Sequence, residues 1–266
     1  MPATYLDRIL DAHRRARAAD HRELGDLIER CVDLPPTRGF VAALREPERL
    51  SVISEIKRRS PSKGDLRVDL DPAALARRYV EGGAAALSVL TDGPHFGGSP
   101  ADLRAARAAV EVPVLRKDFT VSPLDVCDAR LMGADAVLLI AAALSSEELC
   151  GFAVLARRVG LDVLIETHDE TEVAGVAGGV DLSDRHVCVG VNQRDLVTFE
   201  VDTDRAVRVA GVIPDGVAKV AESGVSSIEA ATRLAAAGYD AVLVGEHLVT
   251  AADPGETVAG LRVPRR

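Results

Sequence analysis

Short apolar segments rich in Val, Ile and Leu recur along the chain about every 27 residues, the length of one strand–helix unit. Between most of them, apolar residues fall at helical spacing and polar residues cover the opposite face. Strands that are apolar nearly throughout and alternate with helices indicate a parallel sheet covered by helices. The segments predicted as strands are 51–57, 86–91, 113–117, 135–141, 162–166, 187–192, 217–222 and 240–245.

The starts of the intervening helices carry residues that favour helix initiation. Asp71 and Ser122 each precede a proline, and a capping side chain followed by proline is a typical helix start. Ser226 and Glu229 have the spacing of a capping box. Eight strand–helix units fit a closed barrel, and neither GxGxxG nor GxxxxGK[ST] supports an open nucleotide-binding sheet. The α/β chain is therefore predicted to form a single (β/α)8 TIM barrel.

The segment before the first strand is predicted to be helical from residue 4 to 33 and to stop before Pro35. It carries two apolar stripes at helical spacing, the first of which includes His13. Because it precedes every strand, residues 1–48 are expected to form an N-terminal helical extension. Residues 49–266 are expected to form the catalytic barrel, within one structural domain. The extension either packs on the side or bottom of the barrel or covers a site at its top.

Composition and charge argue against nucleic acid or a membrane as a binding partner. The net charge is −9, aromatic residues make up 3% and there is no Trp, so a stacking surface for nucleic acid is not expected. The N-terminus lacks an apolar signal core and no apolar run is long enough to cross a membrane, which predicts a cytoplasmic protein. The widely spaced cysteines are expected to be apolar fillers in a reducing compartment; they are Cys31, Cys127, Cys150 and Cys188.

The most informative stretch is SEIKRRSPSKG at 54–64. Glu55 and Lys57 stand two residues apart at the carboxyl end of an apolar strand, so their side chains should project together. The basic loop that follows, with Ser60, suits an anion such as phosphate. Taken alone, the stretch is equally compatible with a strand end followed by a solvated loop.

Other predicted strands also end in polar residues, and barrel enzymes place their chemistry at this end. A barrel with a purely structural role would not need ionisable groups at most strand ends. After Glu55 and Lys57 the ends carry Thr91, Asp92, Lys117, Asp118, Glu166, Asn192, Glu222 and Ser223, and the eighth strand runs into Gly245 and Glu246.

The motifs at these ends resemble those of the indole-3-glycerol phosphate synthase family. SEIKRRSPSKG resembles the family's signature of Glu-x-Lys followed by Ser-Pro-Ser. The similarity covers residues 5 to about 253, with mild departures at Thr167, Gln193 and Glu246. The other matching segments are LSVLTD (87–92), VPVLRKDF (112–119), LIETH (164–168), GVNQRDL (190–196) and AESGV (221–225).

The resemblance implies a lyase of tryptophan biosynthesis that converts 1-(2-carboxyphenylamino)-1-deoxyribulose 5-phosphate to an indole with loss of CO2 and water. Lys117 would be the acid for ring closure and Lys57 the acid for dehydration, with Glu55 or Glu166 as base. The implied catalytic set is completed by Asn192, Glu222 and Ser223. The implied substrate and phosphate contacts are Ser60, Phe96, Phe119, Arg194, Gly224, Gly245 and Glu246. No metal or organic cofactor is expected, and a monomer is favoured.

Two rival functions remain open from the residues. Another phosphosugar barrel enzyme, such as a phosphoribosylanthranilate isomerase type, would explain the barrel and the phosphate loop but not the Glu55, Lys57, Lys117 and Glu166 combination. A non-catalytic phosphate-ligand sensor predicts lost acids or bases at the strand ends. A metal site at residues 168–172 is a further alternative. The spacing of Asp169 and Glu172 instead favours the start of a helix.

Overall fold

Eight parallel strands close into one barrel in a computed structural model that describes residues 4–195 and 197–265. Each strand pairs with its sequence neighbours, and β1 pairs with β8 to complete the ring. The predicted barrel is confirmed, with every strand end within one residue of its predicted position. The strands are β1 Ser51–Ile56, β2 Ala86–Leu90, β3 Val114–Lys117, β4 Ala136–Ile140, β5 Asp162–Thr167, β6 Val187–Asn192, β7 Ala218–Glu222 and β8 Ala241–Val244.

From α4 onward the helices follow the strands, and most of them lie on the outside of the ring. Asp71 and Ser122 cap their helices as predicted, whereas the helix expected to begin at Ser226 is capped by Ser227, which accepts from the Ala230 N–H. The helices are α1 Tyr5–Ala18, α2 Leu24–Val32, α3 Phe40–Leu44, α4 Pro72–Glu81, α5 Gly93–Phe96, α6 Pro100–Ala109, α7 Pro123–Met132, α8 Ser146–Arg158, α9 Glu170–Gly179, α10 Arg205–Val209, α11 Ile228–Ala236, α12 Glu246–Val249 and α13 Pro254–Leu261.

The barrel has two apolar layers because strand side chains alternate between its interior and its helical shell. The inner layer is one buried apolar cluster that includes Ile53, Leu115 and Leu138. The outer layer is larger and joins alternate strand residues to the inward faces of the helices. A filled interior leaves the carboxyl ends of the strands as the open end of the barrel.

The N-terminal extension differs from the single helix predicted for residues 4–33. It forms α1 and α2, and the chain turns at Asp20, whose carboxylate accepts from the Arg22 N–H at 3.1 Å. This local hydrogen bond competes with continuation of the helix. The third helix, α3, was not predicted from the sequence.

The three helices of the extension lie at different levels of the barrel. Helix α1 crosses the carboxyl end, where His13 contacts Asp92 just after β2. Helix α2 packs against α7 on the side. Helix α3 closes the opposite end, with Phe40 and Leu44 fully buried against the inner layer. The extension therefore combines the covering and the packing roles that the sequence left as alternatives.

Within the described residues, no helix has both the length and the apolar character needed to cross a bilayer. Leu196, the last residue of the GVNQRDL segment, lies outside the described residues.

Candidate active site

The carboxyl end of the barrel opens into a cavity of about 1000 Å³. Every residue put forward from the sequence as catalytic or substrate-binding lines it, although these residues come from strands and loops spread along nearly 200 positions of the chain. The cavity is lined by Glu55, Lys57, Ser60, Phe96, Lys117, Phe119, Glu166, Asn192, Arg194, Glu222, Ser223, Gly224, Gly245 and Glu246.

The first charged pair stands at the end of β1. Lys57 Nζ lies 2.6 Å from Glu55 Oε1, as expected for residues two apart on a strand. Glu55 is buried, and Ser88 Oγ on the neighbouring strand β2 lies 3.5 Å from its second oxygen. A Cβ at Gly245 would come within 2.3 Å of Glu55 Oε1, so this glycine leaves room for the carboxylate.

The second charged group is built from three strands. Lys117, the last residue of β3, places Nζ 2.7 Å from Glu166 Oε2 on β5 and 3.4 Å from Glu222 Oε2 on β7. Burial lowers the pKa of the Lys117 ammonium, but attraction to Glu166, Glu222 and Glu55 outweighs burial and the pKa is raised. Lys117 is therefore a charged proton donor at neutral pH.

The two carboxylates beside Lys117 have opposite electrostatics. Burial raises the pKa of Glu166, but Lys117 and His168 together with the Asn192 amide, 3.0 Å from Oε1, outweigh burial and lower it. Burial also raises the pKa of Glu222. The attraction of Lys117 is too weak to offset burial there, so the pKa of Glu222 lies above the usual value for a glutamate. Glu222 Oε1 and Oε2 make no hydrogen bond within the described residues. The two pKa values are thus shifted in opposite directions, which favours the ionised form of Glu166 and the protonated form of Glu222, a division typical of carboxyl groups that share a site.

A turn after β7 brings backbone close to the cavity. Ser223 and Gly224 both have left-handed backbone, with φ of 66° and 72°. Gln193 donates its side-chain N–H to the Ser223 carbonyl at 2.7 Å and holds the turn. A Cβ on Gly224 would lie 2.6 Å from Val201 Cγ1, so a side chain there would clash as well as strain the backbone.

One wall of the cavity is apolar. The rings of Phe96 and Phe119 have centroids 6.2 Å apart, and both were put forward from the sequence as this wall. Leu138 and Ile140 on β4 extend the wall toward the barrel interior and were not singled out. The sequence could not single them out, because an apolar strand residue that faces a ligand has the same pattern as one that faces the core.

The basic loop after β1 contributes less charge to the cavity than the sequence suggested. Arg58 points away and pairs with Asp102 on α6, and Arg59 is exposed and reaches the Pro94 carbonyl. Ser60 remains buried at the cavity edge and accepts from the Lys63 N–H at 3.2 Å. The hydroxyl and backbone of this loop, more than its arginines, therefore face a ligand.

Helix α1 supplies contacts that sequence reasoning missed. His13 Nε2 lies 3.0 Å from Asp92 Oδ2, and its ring packs 5.5 Å from that of Phe119. Burial raises the pKa of Asp92, but His13 and His95 outweigh it and bring it to about 2. Phe199 also lines the cavity and packs edge-on against Tyr5. His13 could have been found from its position in an apolar helical stripe of α1. Phe199 could not, because it lies in a loop and not at the end of a predicted strand.

The parallel barrel, the two ammonium–carboxylate groups and the apolar wall at its open end define a TIM-barrel enzyme of the acid–base type. A cavity of this kind suits a substrate with both an aromatic and an anionic part.

Comparisons with known proteins give the family. A profile of the indole-3-glycerol phosphate synthase family matches residues 6–261. The chain is 50% identical over 259 residues to the indole-3-glycerol phosphate synthase of Parafrankia sp., covering 96% of this chain and 94% of that one. It is also 50% identical over 236 residues to indole-3-glycerol phosphate synthase 2 of Streptomyces coelicolor, covering 88% and 89%. The chain belongs to the indole-3-glycerol phosphate synthase family.

Family membership confirms the expected class of activity, a carboxy-lyase of tryptophan biosynthesis. Solved structures support the fold alone. Thiamine phosphate pyrophosphorylase from Pyrococcus furiosus aligns with a TM-score of 0.57 at 15% identity, over 80% of this chain and 93% of that chain.

Proposed function

We propose that this cavity converts 1-(2-carboxyphenylamino)-1-deoxy-D-ribulose 5-phosphate to indole-3-glycerol phosphate, CO2 and water, with two lysines as successive acids. The observation that carries the proposal is Lys117, whose Nζ lies within 2.7 Å of Glu166 and 3.4 Å of Glu222. A charged ammonium in a partly closed site can both attract a carbonyl oxygen and protonate it.

In the first step the aryl carbon of the substrate attacks the ribulose carbonyl and Lys117 protonates the oxygen. The substrate ring lies against Phe96 and Phe119, which bring the aryl carbon toward the charged end of the cavity. Loss of CO2 then returns its bonding electron pair to the ring-closed iminium and restores aromaticity. The ring system itself accepts these electrons.

In the last step Lys57 protonates the hydroxyl as it leaves as water, and a carboxylate removes a proton from carbon. Glu166 is the proposed base because Lys117 and its other neighbours keep its pKa low and its carboxylate ionised. Glu55, 2.6 Å from Lys57 Nζ, holds that acid in place. Glu222 retains a proton and helps keep Lys117 near Glu166.

The substrate phosphate is proposed to lie at the edge of the cavity formed by the loops after β7 and β8. The turn at Ser223–Gly224 and the start of α12 at Gly245–Glu246 present backbone there, and N–H groups at a helix start favour anions. Ser60 and Arg194 line the same cavity and supply side-chain donors. Glu246 contributes through its backbone, since its carboxylate lies 4.0 Å from Lys63 Nζ.

The extension at 4–48 and the barrel are proposed to act as one structural domain in a monomeric, cytoplasmic enzyme. Contacts of α1, α2 and α3 with three levels of the barrel support the single domain. Sedimentation of the full chain, with and without substrate, would test the monomer.

The direct test is to add the carboxyphenylamino-deoxyribulose phosphate to the purified chain and follow indole absorbance together with CO2 release. Equal amounts of indole and CO2 are expected. In parallel, Glu166→Gln should lower turnover by roughly 10²-fold, the scale of losing a general base. A Glu166→Gln rate close to the wild type would move the base role to Glu55, and the absence of indole with wild-type enzyme would refute the proposed reaction.

A further inference from the structure

The turn after β7 has a backbone conformation that is rare for its residues. Within the described residues, Ser223 and Phe199 are the two non-glycine residues with positive φ, and Ser223 is followed by Gly224, which is also left-handed. A residue with a Cβ adopts this conformation only where the surrounding structure holds it there. Ser223 and Gly224 both line the active-site cavity, so the strained backbone lies at the site itself.

A buried amide is bonded to this turn from behind. Gln193, the residue after β6, is 1% exposed, and its Nε2 donates to the Ser223 carbonyl at 2.7 Å. Its main chain is fixed on both sides, because its N–H donates to the Glu222 carbonyl and its carbonyl accepts from the Asp202 N–H, both at 2.9 Å. Gln193 does not line the cavity, whereas Ser223 and Gly224 do. The amide therefore holds the turn from the side away from the cavity.

The other atom of the same amide has no partner. Gln193 Oε1 is buried and makes no hydrogen bond within the described residues. A buried acceptor without a partner opposes folding, and an apolar side chain of the same length would avoid that cost. The reverse orientation of the amide would set two oxygens against each other, so the Ser223 carbonyl decides which atom faces the turn. The hydrogen bond to Ser223 is thus what a glutamine offers here over an apolar residue.

Holding the Ser223 oxygen also fixes the next N–H group. Ser223 C=O and Gly224 N–H belong to one peptide unit, and a trans peptide points these two groups in opposite directions. The described residues contain no cis peptide bond. With the oxygen turned toward Gln193, the Gly224 N–H faces the opposite side, where the cavity lies. A flip of this peptide would instead present a carbonyl oxygen, which repels an anion.

We propose that Gln193 is a positioning residue that keeps the Gly224 N–H directed at the substrate phosphate. This role rests on the proposed function, in which the phosphate lies at the loops after β7 and β8. The N–H groups of Gly224 and Val225 donate no hydrogen bond to any described residue, and both residues line the cavity. They are therefore available to an anion, and Gln193 holds the first of them in place before the substrate arrives.

The role predicts an effect on binding and little effect on chemistry. The phosphate takes no part in the bonds that form and break, so its contacts are the same in the ground state and in the transition state. Loss of such a contact raises KM and leaves kcat nearly unchanged. A turn that is fixed before binding also avoids the entropy cost of ordering it when the phosphate binds.

The test is Gln193→Met, which keeps the length of the side chain and removes the donor. In the folded full-length variant, KM should rise roughly tenfold, because the turn must now be ordered on binding. The Kd of inorganic phosphate, measured by isothermal titration calorimetry, should rise by a similar factor. Gln193→Glu should raise both values further, because a carboxylate then faces the Ser223 oxygen and adds negative charge near the phosphate.

The matched control removes a similar hydrogen bond elsewhere in the barrel. Thr167 is fully buried at the end of β5, and its Oγ1 donates to the Gly190 carbonyl at 2.8 Å. Thr167→Val should lower stability and leave KM and the phosphate Kd unchanged. A second readout uses Ser223→Gly, since glycine adopts left-handed backbone without strain. In that background Gln193→Met should raise KM by a smaller factor than in the wild-type chain.

Three results would overturn the role of Gln193. A KM and a phosphate Kd of Gln193→Met close to the wild-type values would show that the turn holds itself. A fall in kcat with an unchanged phosphate Kd would show that Gln193 acts through Glu222 at the reacting end of the cavity. No binding of inorganic phosphate to the wild type would show that the turn is not an anion site. Wild-type enzyme that binds phosphate but forms no indole would refute the proposed reaction alone.

Discussion

The two ends of the barrel bury carboxylates in opposite ways. At the closed end, the fully buried Asp135 accepts hydrogen bonds from the Arg38 and Val114 N–H groups, both at 2.9 Å, and from the Arg107 guanidinium. Asp162 accepts from the Val41 N–H at 2.8 Å and contacts His186. Both oxygens of each carboxylate are satisfied.

At the open end, Glu222 is equally buried, but its carboxyl oxygens make no hydrogen bond within the described residues, and Lys117 Nζ lies 3.4 Å from Oε2. A buried polar group without partners costs free energy of folding. The carboxylates at the closed end are fully hydrogen-bonded and stabilise the barrel. At the open end, burial without full hydrogen bonding shifts the pKa of a carboxyl group, which suits it to catalysis. Substitutions at the open end should therefore change catalytic activity, whereas those at the closed end should change stability and leave activity intact.

The largest expected effect is on activity. Lys117→Met should lower kcat by roughly 10²-fold or more, the scale of losing a general acid, with KM changed less. The Tm should fall as well, because Glu166 loses the ammonium that offsets its burial, so kcat is compared on the folded variant. Turnover close to the wild type in the folded variant would contradict the acid role of Lys117.

At the closed end the effect should be on stability. Asp135→Asn should lower the free energy of unfolding by about 2 kcal/mol, because an amide replaces a charged acceptor of several hydrogen bonds. Chemical denaturation measures this value, and kcat of the folded variant should match the wild type. A fall in kcat without a loss of stability would contradict the purely structural role of Asp135.

Removal of α1 should give an intermediate effect. A chain lacking residues 1–18 keeps α2 and α3, and it should show a KM raised roughly tenfold, since α1 no longer supports the substrate wall through His13 and Phe119. Its Tm should fall little, because the contacts of α1 with the barrel are mainly polar and partly exposed. An unchanged KM with a lower Tm would refute the covering role.

The matched comparison is a longer truncation that also removes residues 19–45. This version lacks α3, whose Phe40 and Val41 are buried in the inner layer, so a large loss of stability is expected. The two truncations together therefore separate the covering role of α1 from the packing role of α3.

The smallest effect concerns pH. The pKa of Glu222 is raised by burial above its usual 4.5, so the folded state holds this proton longer than the unfolded state. The stability associated with this proton is present below pH 4.5 and is lost as pH rises through the raised value. Glu222→Gln should lack this loss, and its Tm relative to the wild type should rise between pH 5 and 8. A constant difference in Tm over this range would contradict the raised pKa.

The sequence predicted the strands well because apolar runs are a local pattern, and the polar residues at the strand ends followed from that placement. Substrate contacts such as Phe96 and Arg194 came from the family resemblance, and their roles stay predictions. Apolar runs such as 135–141 mark a buried strand, and a parallel barrel brings all carboxyl ends to one rim. The path of the extension could not be predicted, since an apolar stripe shows that a helix packs but not on what. The unequal pKa values of Glu166 and Glu222 depend on distances among separate strands, which no local pattern contains.

The closed end of the barrel also has a consequence for synthesis on the ribosome. Helix α3 and the residue Arg38 before it leave the ribosome early. Asp135, which accepts from the Arg38 N–H, follows it by 97 positions, and Asp162, which accepts from the Val41 N–H of α3, follows it by 121 positions. Until more than half of the chain has emerged, Phe40 and Leu44 have no barrel interior to enter. This apolar surface, made early, is thus among the last to be covered, and the nascent chain exposes it for a long time.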